Sequence, residues 1–381
     1  MAQGKRVAVI YKFDENWIGG AYYIQNLIRS LNYLPQKDQI QLHILAKDKV
    51  LFQELQKATG YPNLKFIQYK PQFNKVERFV NKLTQKLLNK KVILKKIKLD
   101  WIFPLYAIPH DLKHIKELIF WIPDFQEKYL PNFFSPEEVK NRQLSYENMI
   151  ELGHSIVFSS YSALSDFNTF FPDAKNDKKI LQFAVIHPDL TSKKIEELKV
   201  KYGIKGNYFI SPNQFWQHKN QIAVIEAAKI IKEKGINFKI LFTGKEHDYR
   251  NPDYTNDLKL KVADYNLQNE IQFLGFIDRI DQLVLMKNAQ AVIQPSLFEG
   301  WSTVVEDAKA LNQTLIVSNI TVHKEQLGDK GYYFQPSNYD ELSLKMIEVI
   351  NNPVDKLSFD LDYSVNIKKF ALNLKTLINN L

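Results

Sequence analysis

The 381-residue sequence has no cysteine. That absence excludes a disulfide framework, a thiolate zinc site, an iron–sulfur cluster and cysteine catalysis, and it suits a reducing compartment. A cytoplasmic protein is expected, peripheral at the inner face of the plasma membrane if it touches a membrane at all. No apolar stretch approaches the roughly 18 uninterrupted residues of a spanning helix. The basic residues at the N-terminus precede only Val7-Ala8-Val9-Ile10, too short a run for a signal-peptide core. A shortage of apolar residues, the mark of a disordered chain, is also missing: 45% of the residues are hydrophobic, 13% aromatic and 24% charged, enough to bury a sizeable interior. Domains typically run to about 100–200 residues, so two of similar size are expected.

Lys and Arg outnumber Asp and Glu by 51 to 42, a net charge of +9. The excess is concentrated, because eight Lys and Arg78 stand between Lys75 and Lys98 against Glu77 alone. Val76, Phe79, Val80, Leu83, Leu87 and Leu88 recur there at roughly helical spacing. A basic amphipathic helix of about 24 residues, about 36 Å long, can lie on an anionic membrane. The plainer reading is a core-facing helix with a solvated lysine face. No nucleic-acid-binding motif accompanies the charge, so nucleic acid is not an expected partner.

The first half alternates apolar, β-rich runs with helix-length stretches: Arg6 to Tyr11, Gln39 to Ala46, Leu64 to Tyr69, Trp101 to Tyr106, Leu118 to Ile122 and Ser155 to Ser159 read as strands. Near-continuous apolar strands joined by helices argue for a parallel sheet covered on both faces. The pattern restarts at Tyr208 to Ser211 and continues through Phe238 to Phe242, Ile271 to Leu274, Ala291 to Ile293 and Leu315 to Val317. The expected fold class is α/β, with two Rossmann-like doubly wound domains facing across a cleft. The first covers 1–187, a connection rich in charge and glycine covers 188–206, and the second covers 207–363. A helix over 364–381 follows, and periodicity does not reveal which domain it covers. In such sheets ligands bind beyond the carboxyl ends of the strands, so the site is expected between the domains.

The most informative segment is Pro295 to Leu311, which leaves a strand, turns at Gly300 and opens a helix. Backbone N–H groups of a first helical turn lack intrahelical partners and the helix dipole favours negative charge, so a diphosphate can sit beside Gly300, Trp301, Ser302 and Thr303. Glu299 precedes the turn, placed to accept hydrogen bonds from a polyhydroxyl ligand. Glu306 and Asp307 lie one helical turn in, placed to grip ribose hydroxyls or merely to complement the dipole.

Ser296-Leu297-Phe298-Glu299-Gly300-Trp301, followed by acidic residues and Ala308, resembles the donor-site signature of the group 1, or family 4, retaining glycosyltransferases of GT-B fold. The resemblance implies two acids eight positions apart, the first near the donor sugar and the second on the nucleotide ribose. Eight from Glu299 reaches Asp307, an Asp where the family has Glu, and Glu306 is its rival one position early. Ser211 to Asn220 resembles the loop in which the family carries an Arg and a Lys against the donor diphosphate. Lys219 matches the Lys, Gln214 replaces the Arg, and Asn213 and His218 stand beside them. Gly19-Gly20 resembles the glycine turn facing the phosphates, and Gly244 and Ile277 lie in loops that border the nucleotide in the family. Trp121 to Gln126 resembles an acceptor-domain loop in part of the family, which makes Asp124 the acceptor-binding candidate. A His common there is absent, and Glu127 stands at the neighbouring position.

The implied activity is transfer of a sugar from a nucleotide-sugar donor to a saccharide or lipid-linked acceptor, with retention and with no obligatory metal or other cofactor. Lys219 and Glu299 are the expected catalytic residues. Surface polysaccharide or glycoconjugate synthesis is the implied setting. Two rivals share the architecture: a nucleotide-sugar epimerase, which needs no acceptor, and a non-catalytic sugar-nucleotide or membrane-surface binding protein, motivated by Gln214 and the basic segment.

Overall fold

The computed structural model describes residues 6–12, 18–69, 75–88, 99–105, 115–352 and 362–379. Seven parallel strands form the first sheet: β1 Val7–Ile10, β2 Leu42–Ala46, β3 Leu64–Gln68, β4 Trp101–Leu105, β5 Glu117–Ile122, β6 Ile156–Phe158 and β7 Lys178–Ile180. Their order is β3-β2-β1-β4-β5-β6-β7. Six more parallel strands form the second: β8 Phe209–Pro212, β9 Ile240–Thr243, β10 Ile271–Phe273, β11 Val292–Gln294, β12 Leu315–Ser318 and β13 Tyr332–Phe334, ordered β10-β9-β8-β11-β12-β13. Both orders reverse direction beside the first strand of the domain, and that switch point opens a crevice at the carboxyl ends.

Alternation along each strand feeds two cores at once. Val7 and Val9 join the cluster on one face of the first sheet, and Ala8 joins the cluster on the other. Phe209 and its neighbour Ile210 divide in the same way in the second sheet. Two-sided burial is why the central strands read as apolar runs. The two strands that the apolar pattern misses, Lys178–Ile180 and Tyr332–Phe334, are three-residue edge strands, covered on fewer sides and free to carry lysine and tyrosine.

One part of the expected layout changes, and one part that it left open is filled in. The stretch expected to be connection, 188–206, contains the helix Ile195–Tyr202, capped by Gly203 at φ +63°. Leu198 is buried with Tyr208 and Ile210, and Lys201 and Tyr202 both donate to Asp281, so this helix is part of the second domain. The helix Ser364–Asn379 belongs to the first domain. Ile367, Phe370, Leu374, Leu377 and Ile378 are buried with Leu27, Ile28 and Leu31 of the helix Ile18–Ser30. Burying five large apolar side chains is worth on the order of 10 kcal/mol. The chain therefore crosses between the domains twice, near His187 and near Tyr363.

The helix Lys75–Leu88 does not follow the core-facing reading of the basic segment. Val76 and Phe79 are 70% and 66% exposed and Leu83 is also exposed, whereas Val80 is half-buried. Lys75, Arg78, Lys82 and Lys86 lie on the same exposed surface. The remainder of the segment, 89–98, with Lys90, Lys91, Lys95 and Lys96, lies outside the described residues. Among the described residues no helix is long and apolar enough to cross a membrane.

Candidate active site

A cavity of about 750 Å³ opens between the two domains at the carboxyl ends of both sheets. Gly19, Gly20, Asp124 and Arg142 line it from the first domain, and Gln214, His218, Lys219 and Glu299 through Val304 line it from the second. At its centre Glu299 Oε1 accepts from Lys219 Nζ at 2.7 Å, from Gln294 Nε2 at 2.7 Å and from Ser296 Oγ at 2.6 Å. Burial pushes the Glu299 carboxyl up, but the Lys219 charge and these donors outweigh it and hold the group down at about 2. Glu299 is an anion at neutral pH.

Local structure explains the convergence. Asn220 takes a left-handed conformation at φ 58°, which asparagine tolerates, and its side chain donates to Pro295 O and Pro336 O. Leu297 N donates to His218 O at 2.8 Å. The loops after β8 and β11 are thereby laced together, with Lys219 on one and Glu299 on the other. Gln294, which ends β11, is, like the cavity-lining Arg142, Tyr249 and Arg250, one of the residues that sequence reasoning missed. Fully buried, it accepts from Asn213 Nδ2 at 2.8 Å and donates to Glu299, Ser296 and Ser302. Its only signal was a polar side chain ending an apolar strand. Asn213 stands behind Gln294, one layer back from the cavity.

Ser302 caps the helix Thr303–Ala310 through Oγ to Val305 N, and its own N–H donates to Gln326 Oε1. Thr303 and Val304, at the start of that helix, line the cavity. Gly19 and Gly20 do not form the expected turn; they lie in the first turn of the helix Ile18–Ser30, and nothing lies within 4 Å of the place where a Cβ on Gly19 would stand. Gly300 differs from them. A Cβ on it would come within 2.4 Å of Pro123 O and 2.8 Å of Asp124 Cβ, so here the backbones of the two domains touch. Trp301 also serves the domain contact, donating from Nε1 to Phe183 O at 3.0 Å and packing on the core of the first domain.

The expected ribose acids are already engaged. Glu306 accepts from Lys309 Nζ at 2.8 Å, Gln326 Nε2 at 2.9 Å and Tyr363 O–H at 2.6 Å. Asp307 accepts from Arg279 Nη2 at 2.6 and 2.5 Å and from His187 Nε2 at 2.9 Å. Burial raises the Asp307 carboxyl, but the Arg279 charge and the His187 hydrogen bond bring it below its ordinary range. Neither acid lines the cavity; each is tied to one of the two crossings between the domains. Gly244 and Ile277 also lie away from it. A Cβ on Gly244 would meet Asn213 O at 2.0 Å, a packing constraint, and Ile277 packs against the core of the second domain.

On the other wall Asp124 is half-buried, and its Oδ1 accepts from Gln126 N at 3.2 Å. Burial raises its carboxyl despite the nearby Arg142 charge. Arg142 Nη1 and Tyr146 O–H both donate to the buried Glu127, at 3.2 Å each, and brace this wall.

Two imidazoles are held neutral. Burial, reinforced by Lys219, lowers His218 to about 3, and burial lowers His323 to about 4, with Nδ1 donating to Ser318 O at 2.9 Å. An unfolded histidine takes its proton near pH 6.5, so between that value and pH 4 the unfolded state binds more protons than the folded one. Stability must therefore fall as pH falls through this window. The urea midpoint is expected to drop from pH 6.5 to 4, and His323→Gln to flatten that slope. An unaltered slope in the variant would show that His323 does not titrate this way.

Two parallel-sheet α/β domains with a cleft at their facing carboxyl ends define the GT-B architecture. Residues 194–369, which span the second domain and reach into the helix Ser364–Asn379, match the model of the family described as Glycosyl transferases group 1. The chain is 29% identical over 165 residues to the O-antigen chain mannosyltransferase RfbU of Salmonella typhimurium, covering 41% of this chain and 44% of that protein. It is 27% identical over 168 residues to a UDP-Gal:alpha-D-GlcNAc-diphosphoundecaprenol alpha-1,3-galactosyltransferase of Escherichia coli, covering 42% of this chain and 41% of that one. The matches thus span less than half the length of these curated relatives. Among solved structures, Anabaena Alr3699/HepE in complex with UDP and glucose superposes with a TM-score of 0.64 at 16% identity, over 99% of this chain and all of the other. That likeness concerns the fold.

Proposed function

We propose that the protein is a retaining glycosyltransferase that moves a sugar from a nucleotide-diphosphate donor to a saccharide or lipid-linked acceptor in surface polysaccharide or glycoconjugate synthesis. The observation that carries this reading is the Lys219–Glu299 pair in the interdomain cavity, flanked by the N-terminus of the helix Thr303–Ala310 and by Gly19 and Gly20 in the first turn of the helix Ile18–Ser30. The Lys219 ammonium and the first-turn N–H groups stabilise charge on the departing diphosphate. Glu299, ionised and fixed by three donors, accepts from sugar hydroxyls. Asp124 faces it from the acceptor side. Gln214 supplies a neutral contact in place of a cation, so Lys219 carries more of the phosphate charge. Asp307 reaches a ribose by exchanging Arg279 and His187 for its hydroxyls. No obligatory metal is proposed.

The test is a thermal-shift panel of nucleoside diphosphates and nucleotide sugars, with and without a divalent ion. A ligand at 100 times its dissociation constant adds about 2.7 kcal/mol of stability. Selective stabilisation by one nucleotide without metal is the expected result. No shift with any of them overturns the donor-site reading, and conversion of a donor without acceptor identifies an epimerase.

The lipid-linked acceptor draws on the named substrate of the Escherichia coli relative and on the exposed helix Lys75–Leu88. Apolar residues and lysines on one outward face fit an anionic bilayer surface at the inner leaflet. Replacing Val76, Phe79 and Leu83 by Ser is expected to abolish sedimentation with phosphatidylglycerol vesicles while leaving the thermal transition in place. Unchanged sedimentation would refute membrane docking by this helix.

A further inference from the structure

A second cavity, of about 560 Å³, adjoins the first. His218, Tyr249 and Arg250 line both, so one space leads into the other. Its outer wall comes from Asn132 and Phe133 of the first domain and from Gln217 of the second. The wall is built in advance. The Arg250 guanidinium lies 4.0 Å from the Phe134 ring centre and 4.9 Å from that of Trp216. Glu138 accepts from Tyr249 O–H at 2.7 Å and from Arg250 Nε at 3.4 Å across the domain boundary. Asp248 accepts from Gln217 N and Arg250 N, which fixes the loop after β9.

The chemistry of this wall selects its ligand. With Phe134 covered by Arg250, the lining rings left accessible are the half-buried Phe133 and the exposed Tyr249; beside planar amide and carboxylate groups they match a pyranose, which presents an apolar C–H face and an equatorial edge of hydroxyls. Glu138 and Asp248 against the single Arg250 leave the wall with a net negative charge, which disfavours phosphate and lipid headgroups. We infer that this side cavity is a saccharide subsite, holding the second sugar of the acceptor while the reacting sugar lies beside Asp124 and Glu299. The inference rests on the transferase reading and adds to it a substrate class: acceptors of two or more sugars.

The experiment measures binding of methyl glycosides of glucose, galactose and mannose, and of the corresponding disaccharides, by saturation-transfer NMR and titration in the presence of UDP or GDP. One disaccharide is expected to bind roughly tenfold tighter than its methyl glycoside, the size of one added aromatic contact. Phe133→Ala and Asn132→Ala, both confined to the side cavity, are expected to remove that ratio. Equal affinity for single and paired sugars, no saccharide binding at all, or a ratio that survives both variants overturns the subsite. Failure of both nucleotides to bind is a separate result that counts against the donor site, and the saccharide comparison is read independently of it.

Discussion

Replacing Gly300 by alanine is expected to lower sugar transfer about a hundredfold while both domains keep their secondary structure. The glycine is required for space, because its φ is not in the left-handed region and its missing Cβ would lie 2.4 Å from Pro123 O. The obstructing atoms are backbone and a Cβ, which cannot swing aside as the end of a lysine can. The strain is relieved by parting the domains, which withdraws Asp124 from Glu299. A displacement of about 1 Å in a reacting constellation costs about two orders of magnitude in rate. Transfer assays paired with small-angle scattering check this, and a variant with the wild-type rate and radius would show that the contact between Gly300 and Pro123 does not position the acceptor wall.

Glu299→Gln is expected to lower turnover by about two to three orders of magnitude with the circular dichroism spectrum unchanged. The substitution keeps shape and removes charge. Three donors, from Lys219, Gln294 and Ser296, converge on one carboxylate oxygen, and a neutral amide oxygen accepts from them more weakly. Lys219 then faces the cavity without its counter-charge, and the sugar hydroxyls proposed to bind there lose their anionic acceptor. Because the carboxyl is held near 2, the wild-type rate should show no limb from this group between pH 5 and 8. Donor turnover by the variant at the wild-type level would remove Glu299 from the mechanism.

The central strands were legible because burial on both faces leaves only apolar side chains, as in Leu118 to Ile122. The edge strands Lys178–Ile180 and Tyr332–Phe334 were not, since an edge satisfies its backbone on one side and tolerates polar residues. At the site, Glu299, Lys219, Gln214, Asp124, Gly19 and Gly20 were singled out by local motif and line the cavity, although the two glycines lie in a helix and not in a turn. Glu306 and Asp307 were found as acids at a helix start, but their partners could not be read locally. Tyr363 is 57 positions from Glu306, and His187 is 120 positions from Asp307. Gln294 and the helix Ile195–Tyr202 were hidden for the same reason: what each does depends on residues far along the chain. Trp301 shows the converse, a motif position whose indole is spent on the domain contact with Phe183 O.

The helix Ser364–Asn379, made after the whole second domain yet packed on the first, sets the order of events on the ribosome. Until it emerges, the nascent first domain lacks the cover that this helix lays over Leu27, Ile28 and Leu31, while the second domain, complete earlier, can close its own core. A chain stopped before this helix would thus expose its sticky surface at the front, and the half synthesised first would be the last to mature.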